Sequence, residues 1–210
     1  MTENSAHPSA AKRRLLLDAA VDIFTRFGYR KTAMDDVARA AGVSRQGLYL
    51  HFADKQDLFR ATVEHALDTQ LDAGLAVLAD EARPLEDRLV GAFREWLGRR
   101  VGFGDSDASD LIGRSNAMAS ASLMEHAARF DQAVAHAIAA SPLAAIYADA
   151  NLKPIQLART LHATAVGFKY GSTSPDEFLA SMAIAVRILC APDTPDRPRA
   201  PRSARRTISR

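Results

Sequence analysis

The stretch Thr32–Leu50, TAMDDVARAAGVSRQGLYL, decides the fold of this chain, because it reads as two short helices joined by a turn too tight for any other element. Met34, Val37, Ala38 and Ala41 fall at helical spacing and make one inner face. Thr32 is a good N-cap for that helix, and Asp35, three residues on, completes an approximate capping box. Gly42 ends the helix, and after Val43 the Ser44 hydroxyl caps the next segment, Arg45–Leu50. The run Leu48–Phe52, LYLHF, alternates apolar and polar side chains as a half-buried strand would. It is too short to stand as a strand, and Ser44 and Asp54 cap helices on either side. Its alternation therefore separates two jobs: Leu48 and Phe52, four apart, pack inwards, while Tyr49 and His51 point outwards.

Working outwards, the polar, small residues 1–11 read as a disordered arm with order beginning near Lys12. Leu16, Ala20, Ile23, Phe24 and Phe27 form one face of a first helix, and Gly28 stands where a left-handed C-cap belongs. Downstream, Asp54 caps a long helix from Lys55 to about Ala79, and Pro84 begins a fifth helix carrying Leu89, Phe93 and Trp96 that runs into the glycine-containing VGFGDSD at 101–107. Helical patterning resumes over Leu111–Ala119 and Leu123–Ala140, and again after Pro142. Pro154–Tyr170 and Pro175–Leu189 close the ordered part, the last with Ser174 at its N-cap and Glu177 at N3. No stretch reads as paired strands. The expected class is all-α with about nine or ten helices: a three-helix helix-turn-helix domain at 12–54, a larger helical domain at 55–190 and a disordered Pro/Arg-rich tail at 191–210.

With 48% apolar and 25% charged residues, a chain of 210 residues can bury a sizeable core without staples. Cys190 is the only cysteine, which excludes an internal disulfide and any cysteine-cluster metal site and suggests a reducing, cytoplasmic setting. No run approaches about 18 consecutive apolar residues, and the first residues lack the apolar stretch of a signal peptide, so neither membrane insertion nor export is expected. The formal net charge of +2 hides an asymmetry. Arginines 197, 199, 202, 205, 206 and 210, against Asp193 and Asp196, give the tail +4 and leave the remainder slightly acidic. Pro192, Pro195, Pro198 and Pro201 recur every third residue, the period of a polyproline II helix; a solvated tail fits the same composition. Any case for nucleic acid must come from local placement.

That placement is in the second helix of the opening stretch. Beside Leu48 it presents Ser44, Arg45, Gln46 and Gly47, which supply donors, acceptors and a point of close approach. Arginine pairs with guanine O6 and N7, and glutamine brackets adenine N6 and N7. Tyr49 and His51 carry polar tips suited to phosphate, and Lys55 brings an ammonium to the free backbone N–H groups of the next helix start. Lys12, Arg13, Arg14, Arg30 and Lys31 could extend the contact along the backbone. Asp35 and Asp36 would repel phosphate, and so are placed in solvent.

The joint spacing of Ala20, Phe24, Gly28, Thr32, Val37, Ala38, Ala41–Ser44, Gly47, Leu48, Tyr49, His51, Phe52, Lys55 and Leu58 resembles the DNA-binding domain of TetR-family transcriptional regulators, over roughly Lys12–Phe59. The resemblance implies a homodimer with an all-helical ligand domain, usually a repressor that leaves a near-palindromic operator in double-stranded DNA when a small molecule binds. It places Ser44, Arg45, Gln46, Gly47, Tyr49, His51 and Lys55 at DNA-contact positions and adds Thr32.

For an effector, expected to be a largely apolar small molecule, the candidate lining is Phe93, Trp96, Phe103, Met118, His126 and Phe130, with Met124 and Tyr147 nearby. Trp96 and His126 stand out because indole and imidazole N–H groups need partners that a ligand could supply. For self-association the last two helices offer small residues and a broad apolar surface, with Leu161, Ala165, Phe168, Phe178, Met182 and Ala185 as the expected interface. Catalytic patterns such as HExxH, GxSxG and a phosphate-cradling glycine loop are missing, and so is paired metal-ligand spacing among the six histidines. Neither an enzyme nor a cofactor is expected. The competing reading is a helical protein-interaction adaptor that binds no DNA.

Overall fold

Residues 8–98 and 117–191 are described by the computed structural model, and among them the regular elements are nine α-helices with no strand. They are α1 (Pro8–Lys31), α2 (Met34–Ala40), α3 (Arg45–Tyr49), α4 (Lys55–Ala79), α5 (Leu85–Trp96), α6 (Ala117–Ala139), α7 (Leu143–Ala148), α8 (Pro154–Gly171) and α9 (Pro175–Cys190). Phe103, the glycine-containing stretch around it and the Pro/Arg tail from residue 192 lie outside the described residues. So does the side chain of Met118, although its backbone is part of α6.

Local sequence chemistry accounts for most of the boundaries. Gly28 breaks α1 with φ 76°, a conformation that costs glycine nothing and any other residue strain, so the chain turns before its final helical residues. Ser44 Oγ accepts the Gly47 N–H at 3.0 Å, Asp54 Oδ1 accepts the Asp57 N–H at 2.8 Å, and Ser174 Oγ accepts the Glu177 N–H at 3.2 Å. The far end of α4 is closed from outside: the Leu78 carbonyl accepts from Arg88 Nε of α5 at 2.8 Å and also from its Nη2.

Four expectations shift. The first helix opens at Pro8 rather than near Lys12. The cap of α2 is Ala33, not Thr32: the Thr32 hydroxyl turns back to donate to the Gly28 carbonyl at 2.8 Å, and Asp36 rather than Asp35 accepts the Ala33 N–H, also at 2.8 Å. Phe27 is exposed, and Leu17, near the other end of α1, joins the inner face. The two helical patterns expected before residue 140 end as one continuous α6.

The helices bury two separate cores. In the smaller, Leu16, Leu17, Ala20 and Phe24 of α1 meet Met34, Val37 and Ala38 of α2, Leu48 and Phe52 around α3, and Leu58 of α4. In the larger, Leu67, Leu71 and Leu78 of α4 pack with Leu89 and Phe93 of α5, Phe130 and Ile138 of α6, Leu161 of α8, and Phe178 and Met182 of α9. One helix, α4, thus contributes its first two turns to one core and its later turns to the other.

Candidate nucleic-acid interface

The recognition segment is held from beneath by two residues. Leu48 and Phe52 are both buried in the small core, which leaves Ser44, Arg45, Gln46 and Tyr49 exposed on the opposite side of α3, with Gly47 and His51 half-buried at its edge. The turn that sets α3 against α2 relies on Gly42 at φ 66°. A side chain at Gly47 would press its Cβ to 3.3 Å from Ser44 Oγ, so glycine there keeps the helix cap uncrowded.

Arg45 is the best-fixed side chain on that surface. Its Nη1 lies 3.2 Å from Asp35 Oδ2, and its guanidinium carbon sits 5.6 Å from the centre of the Tyr49 ring. Its pKa is raised by the hydrogen bond to Tyr49 first and then by the charge of Asp35. Asp35 is exposed as expected, yet it is not loose in solvent: it is tied to the residue expected to read bases. Asp36 is half-buried and pairs with Arg39 at 3.6 Å.

Lys55 differs from its expected setting. Its ammonium lies 4.3 Å from the centre of the Tyr29 ring and 3.5 Å from the Arg30 carbonyl, which orients it by cation–π attraction at the end of α1. The start of α4 is already served by carboxylates: Asp54 accepts the Asp57 N–H, and Asp57 accepts the Ala53 N–H at 3.1 Å and pairs with Arg60 at 2.7 Å. The bond from Ala53 is the main reason that the Asp57 carboxyl is held below its ordinary pKa. Lys55 therefore offers a point charge poised over Tyr29 rather than a partner to vacant N–H groups. Thr32 is corrected too. It is 3% exposed with its hydroxyl spent on Gly28, so its side chain is not available to a phosphate. Arg13 lies with its guanidinium carbon 5.1 Å from the centre of the Phe52 ring, which fixes one of the three basic residues of early α1 beside the recognition segment.

In the larger core, Phe93, Trp96, Phe130 and His162 form one aromatic group, with Trp96 and Phe130 stacked at 5.3 Å and Phe93 edge-on to Phe130 at 5.1 Å. Trp96 and His126, whose N–H groups need partners, both find them inside the protein. Trp96 Nε1 donates to His162 Nε2 at 3.3 Å, and His162 Nδ1 lies 2.6 Å from Asp131. His126 Nδ1 lies 2.7 Å from the Ser122 carbonyl, and its Nε2 lies 2.9 Å from Asp68 of α4. Both of those partners are acceptors, so the ring is placed to donate from both nitrogens, as an imidazolium does. Among the described residues no buried side-chain nitrogen or oxygen lacks a partner. Tyr147 donates to the Leu189 carbonyl at 2.8 Å, and Met124 faces solvent.

The expected interface residues also turn inwards. Leu161, Ala165, Phe178 and Met182 are buried in the chain's own core, and Phe168 and Ala185 lean on it half-buried. Both helices carry a second apolar stripe, and it is this one that faces out: Val166 and Tyr170 on α8, Ile184 and Ile188 on α9, each pair four residues apart.

Sequence reasoning passed over Asp35 as a partner, Tyr29 beneath Lys55, His162 with Asp131, and His65 of α4, whose Nε2 lies 2.6 Å from Asp18 of α1. Each joins residues ten or more apart, so no local pattern could announce it.

Comparison with known proteins fits this geometry. Residues 16–62 match the family model described as bacterial regulatory proteins, tetR family. The regulator RutR of Escherichia coli K12 is 36% identical over 76 residues, which is 36% of this chain and 35% of RutR, so the chain aligns with about a third of that relative's length. Solved structures extend the likeness in fold to nearly all of the chain. A tetR-family transcriptional regulator from Streptomyces coelicolor superposes with a TM-score of 0.64 at 18% identity, covering 87% of this chain and 80% of that one. The fatty acid degradation regulator FadR from Bacillus halodurans does so with a TM-score of 0.63 at 17% identity, covering 89% and 96%. Over residues 16–62 the chain is therefore similar to the helix-turn-helix domain of the TetR family of transcriptional regulators, and the described helices share the fold of solved TetR-family structures.

Proposed function

We propose that this protein is a cytoplasmic, sequence-specific DNA-binding regulator, a homodimeric repressor that occupies a near-palindromic operator and releases it when a small, largely apolar molecule binds. The observation that carries the reading is the surface of α3, where Ser44, Arg45, Gln46 and Tyr49 are exposed on a helix whose only buried residue is Leu48. Arg45 and Gln46 are the base readers, and Tyr49, His51 and Lys55 grip phosphates.

Dimerisation uses the outward stripe of Val166, Tyr170, Ile184 and Ile188, since an apolar strip of that length is otherwise left in water. Two heads then present their recognition helices to successive major grooves about 34–36 Å apart. Effector binding is assigned to the body built from α4, α5, α6 and α8, around Phe93, Trp96 and Phe130. It favours a conformation in which α4 carries the head out of register, a population shift rather than a new contact with DNA.

Selection of bound duplexes from a random pool tests the reading. An inverted repeat is expected, with affinity falling steeply as salt rises. Arg45→Ala and Gln46→Ala should relax the selected sequence, whereas Tyr49→Phe and Lys55→Ala should weaken binding evenly, the latter reducing the salt slope by about one. Failure to bind DNA at low salt, with the fold intact, would favour the adaptor.

A further inference from the structure

Asp35 occupies an unexpected place for a carboxylate. It is the second residue of α2, and it reaches across the Gly42 turn to the first residue of α3, the arginine assigned above to base readout. The capping of α2 does not need it, because Asp36 accepts the Ala33 N–H. Folding needs it little, since Arg45 and Asp35 are 63% and 49% exposed and a pair so open to water adds little to stability. On a surface meant for a polyanion, a carboxylate weakens binding to every duplex alike. Its presence is explained if it does something for one sequence that it does not do for the rest.

The geometry supplies that role. Arginine's long, flexible stem holds much rotamer freedom, which an unrestrained Arg45 would lose on docking to a base. Here the guanidinium is anchored at Nη1 by Asp35 and lies along the Tyr49 ring, so its plane is set before DNA arrives, and the remainder of its donor fork is kept for a base edge. With the wrong base pair, Arg45 finds no bidentate acceptor, and Asp35 still faces the acceptor-rich groove and backbone. Attraction in the right complex and repulsion in the wrong one both widen the gap.

We propose that Asp35 is a specificity-determining residue, which positions Arg45 for base readout and penalises duplexes that leave Arg45 without a base partner. This rests on the reading of Arg45 as a base contact. The test uses the full chain and four forms: the natural protein, Asp35→Asn, Arg45→Ala and the double variant. Fluorescence anisotropy at one fixed salt concentration gives Kd for the selected duplex and for a duplex of equal length with scrambled half-sites. Asp35→Asn should reduce the scrambled-to-selected Kd ratio about tenfold, mainly by tightening the scrambled complex, with its thermal midpoint unchanged. Arg45→Ala should reduce the ratio as well, and the double variant should fall no further than Arg45→Ala alone, because Asp35 acts through Arg45.

Equal tightening of both duplexes by Asp35→Asn would overturn the inference and reduce Asp35 to a general repulsive charge. So would a double variant whose ratio falls by the product of the two single effects. If Arg45→Ala leaves the ratio unchanged, the base-readout reading itself fails and the inference goes with it; a reduced ratio in Arg45→Ala beside an unchanged one in Asp35→Asn sinks the inference alone.

Discussion

Replacing His126 by leucine should make the protein less stable, and by an amount that depends on pH in a defined direction. His126 is buried on α6, facing Asp68 of α4, with Ser122, whose hydroxyl bonds to Glu64 of α4, and Arg129 on its own helix. Burial works to lower its pKa, but the hydrogen bonds to Asp68 and the Ser122 carbonyl and the charge of Asp68 outweigh burial and Arg129, so the net shift is upwards. A group whose pKa is higher folded than unfolded stabilises fully below the unfolded value, near 6.5, and loses that contribution as pH rises through the folded value. At pH 6 the charged bond to Ser122 is worth about 1.5–3 kcal/mol. The bond to Asp68 is worth less than about 1 kcal/mol, because the Asp68 side chain is 56% exposed and can rehydrate. The extra apolar burial of leucine returns about 1 kcal/mol. A net loss of about 2 kcal/mol follows, or roughly 4–8 °C in thermal midpoint for a chain of this size. Trp96, the only tryptophan, reports unfolding of this core by its own fluorescence. Midpoints are taken from pH 6 to 9 at one protein concentration, so that self-association contributes equally throughout. The gap between natural protein and variant should narrow as pH rises. A gap that stays constant, or widens, would refute the imidazolium assignment.

Three further outcomes are expected. Trp96→Phe removes the donor to His162 Nε2 and should cost about 1–3 kcal/mol, read as a lower urea midpoint by circular dichroism; an unchanged midpoint would count against the Trp96–His162 bond. Gly42→Ala places a Cβ in open space but at φ 66°, so its cost of about 1–2 kcal/mol is backbone strain alone, and Gly42→Asn should cost less in the same melt. Ile184→Asp with Ile188→Asp should give monomers in sedimentation at micromolar concentration while the helical signal stays intact, because both side chains lie outside the core; a persistent dimer would move the interface elsewhere.

Most of the turns and caps of the head were legible in its sequence, because they are local chemistry. Ser44 and Asp54, like Ser174 before the last helix, each needed only a hydroxyl or carboxylate three residues before an N–H, and Gly28 and Gly42 needed only the absence of a Cβ. Thr32 misled because a buried hydroxyl can satisfy a carbonyl behind it as readily as an N–H ahead. The last two helices misled for a different reason. Periodicity finds an apolar stripe, but α8 and α9 carry two, and which of them meets the core depends on helices that are remote in sequence. Asp35, His162 and His65 matter through partners ten to 47 positions away, a relation that only the assembled fold creates.

The clamp of Arg88 on the Leu78 carbonyl has a mechanical meaning. With its far end fixed, the 25-residue α4 is a rod of about 37 Å, at 1.5 Å per residue, whose tip carries the reading head. A tilt of only about 5° about that anchored end sweeps the tip through roughly 3 Å, close to the 3.4 Å step between neighbouring base pairs. In the proposed homodimer two such rods would double the displacement. On the proposed mechanism, a small molecule in the core would need to move α4 by no more than a side chain's breadth to put the heads one or two base pairs out of phase with their half-sites.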